Sequence, residues 1–149
     1  HLAGIESPGL ASSPATAEYA AELLSEMGLR LEKNESFCPT RQRVVRFREM
    51  NDEERAALIK ENPSYAKIIC RCETVTEGEI IDAIRRPMGA KTVDGVKRRA
   101  RAGLGRCQGG FCMPRVAEIL SRELGVPLTE ITKDGKGSDL LVGKTKEGN

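Results

Sequence analysis

Tryptophan is absent from this 149-residue sequence, which contains only two tyrosines and three phenylalanines. A hydrophobic core must therefore come from Ile, Leu, Val, Ala and Met, and the hydrophobic content of 39% allows a core of modest size. Long apolar runs are also lacking, because none approaches the roughly 20 residues that a membrane-spanning helix needs. The sequence thus excludes an aromatic-rich core and predicts no direct membrane span.

The start of the sequence, from His1 to Ile5, contains neither an initiating Met nor the charged and apolar regions of a signal peptide. We therefore expect a piece of a longer protein. Without an export signal, we expect a cytoplasmic location, with any membrane association made through a partner.

The cysteines are few, and their number is odd, which argues against a complete disulfide framework. Cys38 stands alone. The other four form the pairs Cys70-x-Cys72 and Cys107-x4-Cys112, separated by 34 residues. In a reducing compartment such pairs usually bind a metal or carry redox chemistry, and disulfides are the minor alternative.

Four thiolates are the donor set of a 2Fe–2S cluster. Cys72 and Cys112 each precede a predicted helix start, where the positive end of the helix dipole stabilises a thiolate. The glycines of segment 103–110 allow backbone amides to turn toward sulfur. A four-cysteine zinc site usually has two to four residues inside each pair, so this spacing favours a 2Fe–2S cluster and leaves zinc as the alternative. A 4Fe–4S site packs its cysteines more closely and is not favoured.

Basic residues are concentrated between Arg85 and Arg106, where eight of them face a single acid, Asp94. Such a stretch can be a solvated surface, a nucleic-acid contact, or a counter-charge for a redox centre or its partner. An oxidised cluster with four thiolates carries a charge of about −2. The predicted counter-charges for it are Arg71, Arg101 and Arg106.

The pattern of apolar residues and helix caps predicts a mainly α fold, with a small cysteine-cluster domain that resembles a helix-turn-helix and is preceded by a helix and an extended linker left from a larger flavoprotein. A helix over 14–27 would be capped by Ser13 and end at Gly28. A short extended stretch is expected around Val44, Val45 and Phe47. The other helices are expected from Asn51 to before Pro63, from Thr76 to Pro87, from Val93 to Ala102, and from Pro114 to Gly125. Leu140 to Val142 could dock on them.

The segment Cys70-Arg71-Cys72-Glu73, together with the sequence AGLGRCQGGFCMPR at 102–115, resembles the domain of bacterioferritin-associated ferredoxin. It is more similar to the version fused to the C-terminus of FAD-dependent oxidoreductases of the anaerobic glycerol-3-phosphate dehydrogenase type, which shares the four-residue gap in the second pair. The resemblance implies short helices around a 2Fe–2S cluster. Its ligands would be Cys70, Cys72, Cys107 and Cys112.

The N-terminal sequence GIESPGLASSP at 4–14 resembles the last flavin-contacting loop of the same oxidoreductases. The residues that would contact FAD in the intact protein are Gly4, Ile5, Ser7, Pro8, Gly9 and Leu10. The G-x-G-x-x-G unit that binds the FAD pyrophosphate is absent from these 149 residues, so we expect them not to bind FAD alone and predict no catalytic residue among them.

Four regions are predicted. Residues 1–28 would end an FAD domain, 29–66 would be a linker, 67–132 would hold the cluster, and 133–149 would be an irregular tail. The predicted function is electron relay from reduced FAD in the upstream domain to a redox partner protein or quinone-linked subunit, without specific nucleic-acid binding. The alternative is a zinc-stabilised helical module that binds nucleic acid or protein.

Overall fold

A computed structural model describes residues 1–146, which fall into two compact units, His1–Gln42 and a second that begins at Arg43. The first unit contains helix α1, Gly9–Glu26. The helix starts five residues before the predicted position, and Pro14 lies inside it. It tolerates Pro14 because the Ser13 hydroxyl, which was predicted to cap the helix, instead donates a 2.9 Å hydrogen bond to the Leu10 carbonyl that Pro14 cannot reach. Gly28 follows the helix with φ +94°, as the sequence predicts.

The second unit is built from short helices and one small sheet, which confirms the mainly α prediction. Its α-helices are α2 (Asp52–Glu61), α3 (Glu77–Arg85), α4 (Val93–Ala100) and α5 (Met113–Leu124). Its strands are β1 (Ile68–Cys70) and β2 (Val75–Thr76), and 3₁₀ turns cover Phe47–Glu49, Pro63–Ala66 and Leu128–Glu130. No helix among residues 1–146 is both long and apolar enough to cross a bilayer.

Two helices begin with the predicted capping boxes. Before α2, the Asn51 side chain accepts the Glu54 N–H and the Glu54 carboxylate accepts the Asn51 N–H, both at 2.9 Å. Before α3, Thr76 and Glu79 make the same exchange at 3.3 and 2.8 Å. The second carboxylate oxygen of Glu79 accepts the Phe47 N–H at 3.2 Å, so this box also ties the start of the unit to α3.

Three predictions of local structure are wrong. Val44, Val45 and Phe47 form no strand, because buried Phe47 begins a 3₁₀ turn, with the Arg55 guanidinium 5.2 Å from its ring centre. The antiparallel pairing of β1 with β2 is not expected from the sequence, since strands of three and two residues are too short to show alternation. Helix α4 ends at Ala100, because Arg101 adopts the left-handed conformation with φ +65°.

The core of the second unit lies between α3, α4 and α5. Its most deeply buried side chains, each at most 1% exposed, include Ile80, Val96, Leu120 and Ile131. Ile131 follows α5, and the next two carbonyls accept the first N–H groups of α4, from Val93 and Asp94. The segment after α5 therefore caps α4 and completes the core, against which Leu140 also packs.

Candidate metal centre

The four paired cysteines come from three different parts of the second unit. Cys70 ends β1, Cys72 lies in the turn before β2, Cys107 lies in the glycine-rich loop, and Cys112 is the cap residue of α5. Cys70 and Cys112 are buried, whereas Cys72 is exposed and Cys107 is half-buried. All are free thiols, and all four line one cavity of about 450 Å³. The fold thus brings together the side chains that the sequence selected.

The thiols are arranged as two pairs. The Cys72 and Cys107 sulfurs lie 3.6 Å apart, and Cys70 is the hydrogen-bonding neighbour of Cys112. Two sulfurs bound at about 2.3 Å to one tetrahedral metal ion lie about 3.8 Å apart, close to the first distance. Within residues 1–146, no three His, Cys, Asp or Glu side chains converge on a point that could hold a single ion. Two thiol pairs on one cavity provide the donor set that two iron ions need.

The glycine-rich loop prepares Cys107 to be a thiolate. Backbone N–H groups of Phe111, Gly109 and Gly110, together with the Cys72 thiol, hydrogen-bond to its sulfur and lower the pKa of Cys107. The loop turns its amides inward through positive φ angles at Gln108 (+47°) and Gly109 (+88°). This is the nest expected from the glycine spacing.

Cys112 has the opposite environment. Burial and the neighbouring Cys70 raise the pKa of the Cys112 thiol to about 12. A metal that binds here must therefore displace a proton that the free protein retains at neutral pH. The site combines an inner pair of buried thiols with an outer pair close to solvent.

The three predicted counter-charges have different surroundings. Arg71 is exposed and lines the cavity. Arg101 donates through Nε to the Glu73 carboxylate at 2.8 Å, and Arg48 donates to the same oxygen at 3.0 Å. Both arginines lower the pKa of Glu73, with Arg101 the larger cause. Arg106 is exposed and makes no side-chain ion pair among the described residues.

Three residues of the cavity were not singled out from the sequence. Ile68 and Phe111 are 47% and 86% exposed, and the guanidinium-bearing Arg115 is also exposed. Arg115 follows Cys112 by three residues on α5, a helical spacing that could have identified it. Ile68 shares a strand face with Cys70, but this relationship appears only once β1 is known.

The other arginines of α4 are held within the chain. Arg98 pairs with Asp134, and Arg99 donates to the Gly95 and Met88 carbonyls at 3.1 and 2.8 Å. The basic stretch is therefore a surface whose guanidinium groups already have partners.

The remaining predicted residues belong to the first unit. The predicted FAD-contacting residues lie at the start of α1: Gly4, Ile5, Ser7 and Pro8 precede the helix, and Gly9 and Leu10 begin it. Leu10 is 95% exposed. The Cys38 thiol is exposed and donates to the Thr40 carbonyl at 3.4 Å.

Known proteins share these segments. The family model of the BFD-like [2Fe-2S] binding domain matches residues 68–122, which include all four paired cysteines. A glycerol 3-phosphate dehydrogenase of Caloramator mitchellensis is 56% identical over 146 residues, covering 98% of this chain and 30% of that protein. Hydrogen cyanide synthase subunit HcnB of Pseudomonas aeruginosa is 35% identical over 97 residues, 64% of this chain and 20% of that protein.

An anaerobic glycerol-3-phosphate dehydrogenase of Escherichia coli K12 has one polypeptide that is 35% identical over 66 residues, covering 44% of this chain and 12% of that polypeptide. The chain thus spans less than a third of the length of these relatives. No solved structure matches it significantly.

Proposed function

Since residues 68–122 are a BFD-like [2Fe-2S] binding domain, we propose that this chain transfers electrons through a 2Fe–2S cluster held by Cys70, Cys72, Cys107 and Cys112. One observation carries the proposal: all four thiols line the same cavity, in two pairs. The bound cluster supplies one-electron redox chemistry. Within the cavity the buried pair anchors the inner side of the site, and the loop amides stabilise Cys107 as a thiolate.

The outer side of the cavity is where we propose that electrons enter and leave. Cys72 is exposed there, and apolar Ile68 and Phe111 lie beside the cationic side chains of Arg71 and Arg115. An apolar centre flanked by positive charge suits an acidic redox partner, because charge attraction accelerates association and orients the two surfaces.

We also propose that the chain works beside a flavin in a longer dehydrogenase. Two observations support this: the likeness to the Caloramator glycerol 3-phosphate dehydrogenase over nearly the whole chain, and the N-terminal loop that resembles a flavin-contacting segment. Substrate would reduce FAD by two electrons, and this domain would pass them singly to a partner protein or quinone-linked subunit. The protein would be cytoplasmic, with any membrane association made through that partner.

Metal analysis and spectroscopy of the chain, purified without oxygen, test the cluster proposal. We expect about two irons and two sulfides per chain, visible absorbance, and an electron paramagnetic resonance (EPR) signal after one-electron reduction. Serine substitution of each paired cysteine should abolish or change these spectra, whereas the control Cys38→Ser should not. Colourless protein with one zinc per chain would replace this proposal with the zinc-stabilised module.

Rapid mixing tests the flavin relay in the longer protein. Glycerol 3-phosphate should bleach the flavin first, and the EPR signal of the reduced domain should follow. In Cys107→Ser the flavin should still be reduced by substrate, while electron delivery to an external acceptor falls at least tenfold. Unchanged delivery would show that electrons leave the flavin by another route.

A further inference from the structure

The carboxylate of Glu73 holds two arginines beside the proposed cluster site. Glu73 directly follows Cys72, and its side chain is only 14% exposed. One of its oxygens, Oε2, accepts from Arg101 Nε at 2.8 Å and from Arg48 Nη1 at 3.0 Å. A carboxylate oxygen shared by two guanidinium groups forms strong, charge-assisted hydrogen bonds, so all three side chains are restrained together.

These three residues come from different segments. Arg48 lies in the 3₁₀ turn Phe47–Glu49, and Glu73 lies in the turn that carries Cys72. Arg101 ends α4 with φ +65° and leads into the loop that carries Cys107. The Cys72 and Cys107 sulfurs are 3.6 Å apart. The Glu73 carboxylate is therefore a direct link between the two segments that supply the outer thiol pair.

We propose that Glu73 is a positioning residue that fixes Arg48 and Arg101 beside the Cys72–Cys107 pair and thereby sets the reduction potential and the retention of the cluster. This inference rests on the proposed function. The three side chains together carry one net positive charge, and Glu73 offsets part of the field that its two partners produce.

The sign of the expected effect follows from charge. Reduction makes the bound centre more negative, so nearby positive charge raises its potential and negative charge lowers it. Glu73→Gln removes a negative charge while preserving side-chain shape, and should shift the potential in the positive direction. Arg101→Gln should shift it in the negative direction, whereas Arg101→Lys, which retains the charge, should stay closer to the original potential.

The test uses the full chain with its cluster, and measures reduction potential by redox titration, EPR g values, and the rate of bleaching by an iron chelator. Glu130→Gln is the matched control, because Glu130 is an exposed glutamate in the 3₁₀ turn Leu128–Glu130. We expect Glu73→Gln to bleach several-fold faster and Glu130→Gln to match the original chain. Because the arginines share one carboxylate, the shifts of Glu73→Gln and Arg101→Gln should not add in the double variant.

A lower melting temperature in Glu73→Gln with unchanged potential, g values and bleaching rate would overturn the inference, since Glu73 would then serve the fold alone. That result would leave the cluster proposal intact. If the unsubstituted chain assembles no 2Fe–2S centre, the proposed function fails first and the role of Glu73 fails with it.

Discussion

Gly105 packs against Cys72 so closely that a methyl group at position 105 would lie 2.2 Å from the Cys72 Cβ and 3.4 Å from its carbonyl carbon. No side chain larger than hydrogen fits at that distance without moving one of the two backbones. The glycine therefore allows the loop that carries Cys107 to approach the turn that carries Cys72, and their sulfurs lie 3.6 Å apart.

Gly105→Ala should separate the two outer thiols. We expect reduced cluster content per chain and a free energy of unfolding lower by about 1–3 kcal/mol, the usual cost of forcing an extra carbon into a packed site. Iron analysis and chemical denaturation of the same preparations measure both. Gly9→Ala is the control, since its new methyl would meet only the movable Ile5 side chain at 3.3 Å. Full cluster content in Gly105→Ala would show that this close approach is dispensable.

The parts of the fold that the sequence predicts are those set by neighbouring residues. The capping boxes of Asn51 with Glu54 and of Thr76 with Glu79 need only side chains three residues apart, and both form as predicted. Gly125 ends α5 with φ +67° for an equally local reason. Cysteine spacing likewise selects the four thiols that share the cavity, because few other arrangements suit such a pattern.

The parts that the sequence does not predict depend on distant partners. Ser13 can cap a helix or bond to a carbonyl within one, and residue types alone do not decide between them. Arg101 appears in the sequence as an uncommitted positive charge, but the fold gives it Glu73, 28 positions away. Arg98 similarly meets Asp134. Pairings over such separations depend on how α4, the cysteine turn and the last segment pack together.

Cysteine labelling of the metal-free protein should distinguish the inner and outer thiols. Loop amides lower the pKa of Cys107, whereas burial raises that of Cys112 to about 12. Each pKa unit changes the thiolate fraction about tenfold, and thiolate is the reactive form. Iodoacetamide at neutral pH should therefore modify Cys107 at least about tenfold faster than Cys112, as measured by peptide mass spectrometry.

Cys38 provides the internal control for this labelling. It is exposed, and hydrogen bonds from the Thr40 side chain and backbone lower its pKa, so it should react readily with or without the cluster. Cys107 should react only when the cluster is absent. Protection of Cys38 by the cluster, or equal rates for Cys107 and Cys112 in the metal-free protein, would contradict the assignment of the two pairs.

Acid should destabilise the second unit partly through Glu77. Burial raises the pKa of this carboxyl, but hydrogen bonds from Arg122 and Lys67 outweigh burial and lower it overall. The ion-pair distances are 2.7 Å to Arg122 and 3.2 Å to Lys67. The unfolded chain, with a glutamate pKa of about 4.3, then binds the proton more readily than the folded one, so this stabilisation is present above that pH and is lost as pH falls through the folded pKa.

Glu77→Gln should lower the free energy of unfolding at neutral pH by about 1–2 kcal/mol, because Gln keeps the shape but not the charged hydrogen bonds. The difference from the unsubstituted chain should shrink as the pH falls below about 4. Denaturant titrations across pH measure it, with Glu130→Gln as the exposed control. Parallel stability curves for Glu77→Gln and the original chain would show that this carboxyl does not contribute to acid sensitivity.

The basic surface of α4 should bind nucleic acid only weakly. Arg98 and Arg99 are held by Asp134 and by the Gly95 and Met88 carbonyls, so contact with phosphate would have to displace bonds that already exist. We expect non-specific DNA binding that is weak at physiological salt and weakens further as salt rises, because phosphate contacts release counterions. Fluorescence anisotropy with duplexes of different sequence should show no preference. The double variant Arg98→Gln/Arg99→Gln should behave like a control that loses the same charge elsewhere, Arg41→Gln/Lys60→Gln. Sub-micromolar, sequence-dependent binding that only the α4 variant abolishes would make nucleic acid the partner of this surface, and would give the cysteine centre a structural or sensory role in place of electron transfer.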